Sequence, residues 1–298
     1  KYNNNIRLAI GASGWDLNGS TYDVGIAQLF KYTPATGWTF FASKSGVNTN
    51  AFNLFGKCLA WKDDALAIGE VSAVRLIQST QTVADFNSTP TPYTFSNVSS
   101  LLLNGSTGNW QPVVGSSADA KVYLGNTANF LSGNAGFGRS IAQNAETLVV
   151  GGETGTSGAV KVYNLVSGTW TLAQSLRRSD FGMTNTLNWG QDVAIAGNIL
   201  AIYDYSYGNV YLYQKQDNKW VPYKEIQGNS STGNSLAMAG KLLVVGNPSE
   251  FNRGAAFVYV MPPDAVAATD GQYTNLAKVQ WSTANYASSG LISGFHIY

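Results

Sequence analysis

The sequence predicts an all-β fold, and three observations support this prediction. The apolar segments are four to eight residues long and are bounded by turn residues, which is typical of strands rather than helices. Glycine occurs 32 times and aromatic residues make up 12% of the chain, as tight turns and pleated strands require. One glycine spacing also recurs along the chain, which indicates that the strands are organised in repeats.

The repeat is clearest in residues 137–172, which contain about four short strands joined as a meander. An aromatic residue and a glycine start this unit, and a second glycine closes its second strand 13 residues after the first. The same spacing joins the pairs Gly56–Gly69, Gly138–Gly151, Gly233–Gly246 and Gly190–Tyr203. The residues before the first glycines are Phe55, Phe137, Thr232 and Trp189, respectively. A period of roughly 45 residues with four strands predicts a β-propeller of about six to seven four-stranded blades.

The first blade is expected to be incomplete, because residues 6–11 align with the second strand of the repeat. An upstream segment or a neighbouring subunit is then expected to complete it. The second blade starts at Phe55, and Pro90 and Pro92 favour a long loop or an edge insertion over residues 85–100.

The third blade is the degenerate copy. Its strands are predicted in residues 101–103, 111–115 and 121–124. In an alternative assignment, residues 101–103 and 110–114 form an outer hairpin of the second blade. Blades four, five and six follow from Phe137, Trp189 and Thr232, and the last strand of the sixth covers residues 255–260.

Two families are similar to parts of this pattern. The Phe-Gly starts, together with segments such as Val149-Val150-Gly151-Gly152, resemble the FG-GAP repeats of integrin α-subunit propellers and their microbial relatives. This resemblance covers residues 1–261. Residues 262–298, with a proline-led segment, Trp281 and Tyr298, resemble the first three strands of a fibronectin type III domain. Three of about seven strands cannot bury a sandwich core, so the chain is expected to belong to a larger multidomain polypeptide.

Composition and sequons favour an extracellular or cell-surface glycoprotein. Charged residues make up 12% of the chain and the formal net charge is +1, so no electrostatic footprint for nucleic acid or an anionic membrane is present. No apolar run approaches the roughly 18 residues of a membrane span. The predicted glycosylation sites are Asn18, Asn87, Asn97, Asn104 and Asn229.

Residues for catalysis are not evident. The single cysteine, Cys58, is predicted to be a small buried hydrophobic residue, and the single histidine, His296, a strand residue. Asp63 and Asp64 follow Lys62 in a predicted turn, where solvation explains them better than acid–base pairing. An enzyme would need carboxylates clustered at one mouth of the propeller, and none are apparent, so the sequence predicts that the protein is not an enzyme.

Calcium is the one cofactor that the sequence suggests. The FG-GAP resemblance implies a loop after the second strand in which alternating oxygen ligands bind Ca²⁺. Asp16, Ser20 and Asp23 keep such oxygens, whereas the other loops at this position contain too few carboxylates. No other cofactor is predicted.

Aromatic residues supply the remaining candidates. Trp38, Trp170 and Trp220 occupy equivalent hairpin positions, which indicates first a structural feature of the blade. Tyr203, Tyr205 and Tyr207 alternate at period two and are candidate contacts for a ligand or partner.

Together these features predict a non-enzymatic structural or adhesive module of a large secreted or cell-surface glycoprotein. It is expected to self-associate in a filament or array through protein–protein contacts with its own copies or other extracellular proteins. The alternative is a carbohydrate-binding, lectin-like propeller with glycans as partners.

Overall fold

A computed structural model of the protein describes twelve parts of the chain. They are residues 6–16, 23–46, 52–77, 82, 91–106, 109–154, 158–184, 189–228, 235–247, 254–261, 266–268 and 279–281. Within these residues, 24 strands and one short 3-10 helix, Arg178–Phe181, are formed. The strands assemble into six propeller blades and one two-stranded sheet, and every pairing inside a sheet is antiparallel.

The first three blades cover the N-terminal part of the chain. Blade 1 contains β1 (Ile6–Ala12), β2 (Ile26–Thr33) and β3 (Gly37–Ser45). Blade 2 contains β4 (Cys58–Lys62), β5 (Ala65–Gly69), β6 (Ala73–Ile77) and β7 (Thr91–Thr94). Blade 3 contains β8 (Ser100–Ser106), β9 (Asn109–Ser116), β10 (Lys121–Leu124) and β11 (Phe130–Ser132).

The other three blades follow in order. Blade 4 contains β12 (Ser140–Gln143), β13 (Thr147–Gly151), β14 (Val160–Val166) and β15 (Thr169–Leu176). Blade 5 contains β16 (Trp189–Ala196), β17 (Ile199–Asp204), β18 (Asn209–Gln216) and β19 (Lys219–Ile226). Blade 6 contains β20 (Ser235–Ala239), β21 (Leu242–Asn247) and β22 (Ala255–Val260).

This arrangement decides the questions that the repeat left open. The described residues form six blades, and the first and sixth contain three described strands each. The predicted strands of the third blade are confirmed, because β8, β9, β10 and β11 pair in that order within one sheet. The alternative, in which residues 101–103 and 110–114 form an outer hairpin of the second blade, is wrong for the same reason.

The recurring glycines lie where neighbouring blades touch. A Cβ on Gly151, which ends β13, would overlap the carbonyl oxygen of Gly190 at the start of blade 5. Gly115 stands in the same relation to Gly138 of blade 4, whose φ of +88° also favours glycine. The spacing found in the sequence therefore reflects the close approach of one blade to the next.

The aromatic residues of the repeat fill the junctions between blades. Phe55, Phe137 and Trp189 are each 0% exposed and belong to apolar clusters that join one blade to its neighbour. Short polar side chains strengthen the same contact, since Ser100 Oγ donates to the carbonyl oxygen of Gly138 at 2.9 Å and Ser140 Oγ to that of Gly190 at 2.9 Å.

Beyond the blades, β23 (Val266–Ala268) pairs with β24 (Val279–Trp281). This single hairpin does not show a fibronectin type III domain. None of the helices in the described part of the chain has the length and apolar character needed to cross a membrane.

Candidate functional site

One end of the propeller collects the polar side chains that could carry chemistry. In the described parts of blades 2 to 5, the loops after the second strands and the connections between blades meet there. The amide of Asn134, which follows β11, donates to Glu153 Oε1 in the loop after β13 at 3.0 Å. Arg178, between β15 and β16, pairs with Asp204 at the end of β17 at 3.0 Å. We call this end, which carries residues 70–72, 117–120, 152–154 and 205–208, the loop end.

Buried acidic residues recur at the loop end, either as the last residue of the second strand or one to two residues after it. Glu70 and Glu153 are each 1% exposed and Asp204 is 0% exposed. Glu70 pairs with Arg75 at 2.7 Å, and Glu153 with Lys161 at 2.8 Å. Because each of these carboxylates has its own cationic partner within or beside its blade, they do not form a shared acidic cluster.

The pair in blade 5 is the most deeply buried. Arg178 is 2% exposed, and the ring of Tyr207 lies 4.0 Å from its guanidinium carbon. Burial raises the pKa of Asp204, and the Arg178 guanidinium opposes this shift by favouring the carboxylate. The sequence shows Tyr203-Asp204 at the end of a strand segment and Gly-Glu pairs at the corresponding places in other blades. It does not show which basic side chain pairs with each carboxylate.

Asp192 is the residue that sets blade 5 apart. It pairs with Tyr203 on the neighbouring strand β17, and Tyr203 is the last residue but one of that strand. Ser140 faces Gly151 and Ser100 faces Gly115 at the equivalent places in blades 4 and 3, and Cys58 faces Gly69 in blade 2. A register shift between Trp189 and Asp192 marks an irregularity there, and such bulges often re-aim a side chain beside a functional site.

The Asp192 carboxyl is held by backbone donors. The amide of Val193 donates to Oδ1 at 2.9 Å, and the amide of Leu236, in blade 6, donates to Oδ2 at 2.6 Å. Burial raises the pKa of Asp192 to about 6, while these two amides act in the opposite direction. A half-buried carboxyl that titrates near pH 6 can accept a proton from water at neutral pH.

Sequence reasoning missed Asp192, although a signal was present. The position two residues after the first repeat glycine holds Cys58 in blade 2, Ser140 in blade 4 and Ser235 in blade 6. In blade 5 the same offset gives Asp192. An ionisable group at a position otherwise occupied by small side chains was the clue.

The predicted calcium loop is described in part. Asp16 Oδ1 accepts a hydrogen bond from the amide of Asp23 at 2.8 Å, whereas Ser20 lies outside the described residues. Across the described part of the chain, no three histidine, cysteine, aspartate or glutamate side chains are placed to hold a metal ion. Calcium binding by this loop stays a prediction.

The predicted glycosylation sites differ in their surroundings. Asn97 is exposed at a bend with φ +48°. Asn104 is half-buried on β8, and its Nδ2 donates to Gln143 Oε1 at 3.1 Å. Asn18, Asn87 and Asn229 lie outside the described residues, as does His296.

The aromatic candidates separate into buried and exposed rings. Tyr203 is 0% exposed within β17, whereas Tyr205 and Tyr207 are exposed in the turn that follows. Trp38, Trp170 and Trp220 do occupy equivalent positions at the start of the outer strands β3, β15 and β19. Ligand contact by the three tyrosines stays a prediction.

The thiol of Cys58 is a packing group. Its side chain packs against the apolar cluster between blades 2 and 3, and burial raises its pKa to about 12. A thiol with so high a pKa is a poor nucleophile at neutral pH.

Comparison with known proteins identifies the fold. No protein-family model and no curated protein matches the chain. Among solved structures, the periplasmic gluconolactonase PpgL of Pseudomonas aeruginosa has a TM-score of 0.60 at 14% identity, over 87% of this chain and 79% of that one. The chain is a six-bladed β-propeller.

Two further structures support this statement. A protein from Bacteroides uniformis assigned as a 6-phosphogluconolactonase gives a TM-score of 0.58 at 9% identity, over 88% of this chain and 80% of that one. A chain of the mitotic checkpoint complex gives 0.56 at 14% identity, over 83% and 75%. At such identities the likeness shows the fold alone.

The names of two of these neighbours correct the functional predictions. Both are lactonases, and therefore enzymes, by name. The predictions of no enzymatic activity and of a structural or adhesive module with filament formation are wrong on this comparison. The lectin-like alternative also assumed that the protein does not catalyse a reaction, so it is wrong on the same comparison. The comparisons give no support for FG-GAP repeats or a fibronectin type III domain.

Proposed function

We propose that the protein is a hydrolase that opens a small lactone at the loop end of the propeller, with Asp192 as the general base. The observation that carries this proposal is the replacement of a small side chain by a half-buried carboxyl at one inner-strand position. The shared fold of two lactonases supports the substrate class.

The chemistry requires one proton acceptor and one water molecule. The Asp192 carboxylate accepts a proton from water as the water oxygen bonds to the lactone carbonyl carbon. The ring carbon–oxygen bond then breaks, and the ring oxygen leaves with the proton that Asp192 returns. The product is a hydroxy acid. The amides of Val193 and Leu236 hold the carboxylate in place, and each oxygen keeps a lone pair for water.

The test is the hydrolysis of glucono-δ-lactone by the purified protein. Asp192→Asn removes the base, and we expect it to lower kcat by a factor of about 100 or more, the usual contribution of a general base. Asp217→Asn is the matched control, because it makes the same chemical change on an exposed turn with φ +46°, which asparagine tolerates. A wild-type rate equal to the uncatalysed rate, or an equal loss in both variants, would overturn the proposal.

We also infer a location outside the cytoplasm, in the extracellular space or at the cell surface. The sequons, the low charge content and the periplasmic location named for one structural neighbour support it. Contacts with other extracellular proteins, with further copies of the chain or with glycans stay predictions.

We also infer a family for each of the two parts of the chain. The Phe-Gly starts of blades 2 and 4 support an FG-GAP-like propeller over residues 1–261. The antiparallel pairing of β23 with β24 supports the start of a fibronectin type III-like domain in residues 262–298.

A further inference from the structure

A cavity of about 420 Å³ lies between blades 3 and 4. It is located where β9 begins and β14 ends, whereas the loop end lies at the opposite ends of both strands. Its volume falls within the range of roughly 300–1,000 Å³ that is usual for small-molecule sites. The cavity is therefore large enough for a ligand, and it is separate from Asp192, which lies near the loop end of blade 5.

The cavity exists because the outer strands differ in length. β11 of blade 3 has three residues, whereas β15 and β19 have eight each. Gln174 of β15 donates to the carbonyl oxygen of Trp220 at 2.7 Å and accepts from the Trp220 amide at 2.9 Å, and Trp220 is 3% exposed. Trp170 is the equivalent residue of blade 4, but no described side chain of β11 bonds to its backbone. Trp170 therefore stays half-buried and lines the cavity.

Apolar side chains form one part of the lining. They are Leu124 and Leu131 of blade 3 and Trp170 of blade 4. All three also pack against the apolar cluster between the two blades. The core behind them holds their positions, so this surface is formed before a ligand arrives.

Amide side chains form the other part, namely Asn104, Gln111 and Asn129. Asn104 pairs with Gln111 across β8 and β9, and one N–H of Asn104 donates to Gln143 Oε1 at 3.1 Å. This bond leaves the carbonyl oxygen and the second N–H of Asn104 for another group. A Cβ on Gly125 would lie 2.9 Å from Gln111 Oε1, so the glycine leaves room for this amide. Within the described part of the chain, the side chains of Gln111 and Asn129 make no hydrogen bond.

This lining favours one chemical class of ligand. None of the described residues around the cavity is charged, so an ionised ligand would lose its water without gaining an ionic partner. A wholly apolar ligand would leave the amides unpaired. A sugar ring satisfies both parts of the lining, because its C–H face can pack on an indole ring while its hydroxyl groups donate to and accept from amides.

We propose that the cavity between blades 3 and 4 binds an uncharged sugar ring, with its C–H face against Trp170 and its hydroxyl groups bonded to Asn104 and Gln111. The inference does not depend on the lactone chemistry at Asp192, because the two sites lie at different junctions and toward opposite ends of the propeller. It adds a sugar-binding site to the proposed hydrolase.

The sugar can come from two sources. One is a free saccharide. The other is a glycan on Asn104, which is a predicted glycosylation site and retains an N–H that could carry it. Ser106→Ala separates the two sources, because it removes the sequon at an exposed residue that does not line the cavity.

The test screens the native protein and Ser106→Ala on an array of uncharged and charged saccharides and measures Kd by calorimetry for the saccharide retained best. We expect Ser106→Ala to bind an uncharged saccharide. Equal binding by the native protein would identify a free saccharide as the ligand. Weaker binding by a native protein that carries a glycan on Asn104, detected by mass spectrometry, would identify that glycan as the occupant.

Two further substitutions, each made in Ser106→Ala, test the residues of the cavity. Trp170→Ala should raise Kd at least about tenfold, because it removes the ring that packs on the sugar. Gln111→Leu should raise Kd at least about fivefold, because it removes a hydrogen-bonding group at an exposed position where folding does not depend on it. Trp38→Ala is the matched control, because Trp38 holds the equivalent position in blade 1 and is 49% exposed.

Three results would overturn the proposal. The first is that Ser106→Ala binds no saccharide, whether or not Asn104 of the native protein carries a glycan. The second is a preference for charged over uncharged saccharides. The third is an equal change of Kd in Trp170→Ala and Trp38→Ala together with an unchanged Kd in Gln111→Leu.

Discussion

At the scale of single residues, the carboxyl of Asp192 links the stability of the propeller to pH. Burial raises its pKa from 3.8 to about 6. Between these values the folded chain keeps a proton that the unfolded chain has released, so the free energy of unfolding falls as the pH rises and is lowest above pH 6. This term vanishes below about pH 4, where both states are protonated.

The variant Asp192→Ser tests this term, because serine is the residue found there in blades 3 and 4. Between pH 4 and pH 7, we expect the free energy of unfolding of the wild type to fall relative to that of the variant by up to about 3 kcal/mol. Urea unfolding at both pH values measures the difference, and Asp217→Asn should follow the wild type. Parallel profiles for the wild type and Asp192→Ser would show that the carboxyl is not perturbed.

Arg178 is expected to be a large single contributor to stability. Arg178→Met leaves Asp204 as a buried carboxylate without its cation, which costs roughly 3 kcal/mol or more. Removing both charges, in Arg178→Met with Asp204→Leu, should restore part of the loss. Chemical unfolding compares these variants with Lys219→Met, an exposed lysine of the same blade. A loss of stability no larger than that of Lys219→Met would show that the Arg178–Asp204 pair is not needed for stability.

At the scale of structural elements, the contact between blades depends on glycine for two separate reasons. Gly138→Ala adds a Cβ that overlaps the Lys121 carbonyl oxygen and lies 3.3 Å from Gly115 Cα, and it also strains a φ of +88°. Gly168→Ala strains a similar φ of +81° but meets nothing within 4 Å. We expect about 1 kcal/mol of destabilisation from the strain alone and at least about 2 kcal/mol more for Gly138→Ala.

Thermal or urea unfolding of the two alanine variants separates the cost of backbone strain from the cost of the overlap between blades. Equal losses at positions 138 and 168 would mean that blade 4 can move away from blade 3 without cost, contrary to the packing described. The comparison is direct because the two substitutions are chemically identical.

The same glycines explain how far the sequence predicted the fold. Close approach between blades imposes glycine at a fixed offset, so the repeat, the blade starts at Phe55, Phe137 and Trp189, and the strand segments were all evident. The third blade lacked the Phe-Gly start, so its strands could be assigned only with an alternative, which the pairing of β9 with β10 removes.

The candidate site was less predictable for a physical reason. The importance of Asp192 depends on its burial and on an amide of blade 6 that is 44 positions away in the chain. Sequence spacing does not reveal desolvation, and a single aspartate in a strand resembles any other. The carboxylates that did stand out, Asp63 and Asp64, lie in the turn between β4 and β5, as expected.

At the scale of the whole molecule, the described inner strands form a repeating scaffold in which blade 5 has a carboxyl where blades 2, 4 and 6 have Cys58, Ser140 and Ser235. Blades 2 and 4 neutralise their buried carboxylates locally, whereas blade 5 adds Asp192 next to an irregular stretch of its inner strand. Function in a propeller built from repeated units is expected where a conserved position of the repeat changes its chemistry. The proposed lactone hydrolysis therefore depends on this carboxyl as the proton acceptor.

The most direct measurement is the pH dependence of kcat/KM for the hydrolysis of glucono-δ-lactone, corrected for the uncatalysed rate. The base must be ionised in the free enzyme, so kcat/KM should rise with pH, reach half of its maximum near pH 6, the pKa of Asp192, and then level off. A catalysed rate that does not change between pH 5 and pH 7, or no catalysed rate at all, would contradict the assignment of Asp192 as the general base.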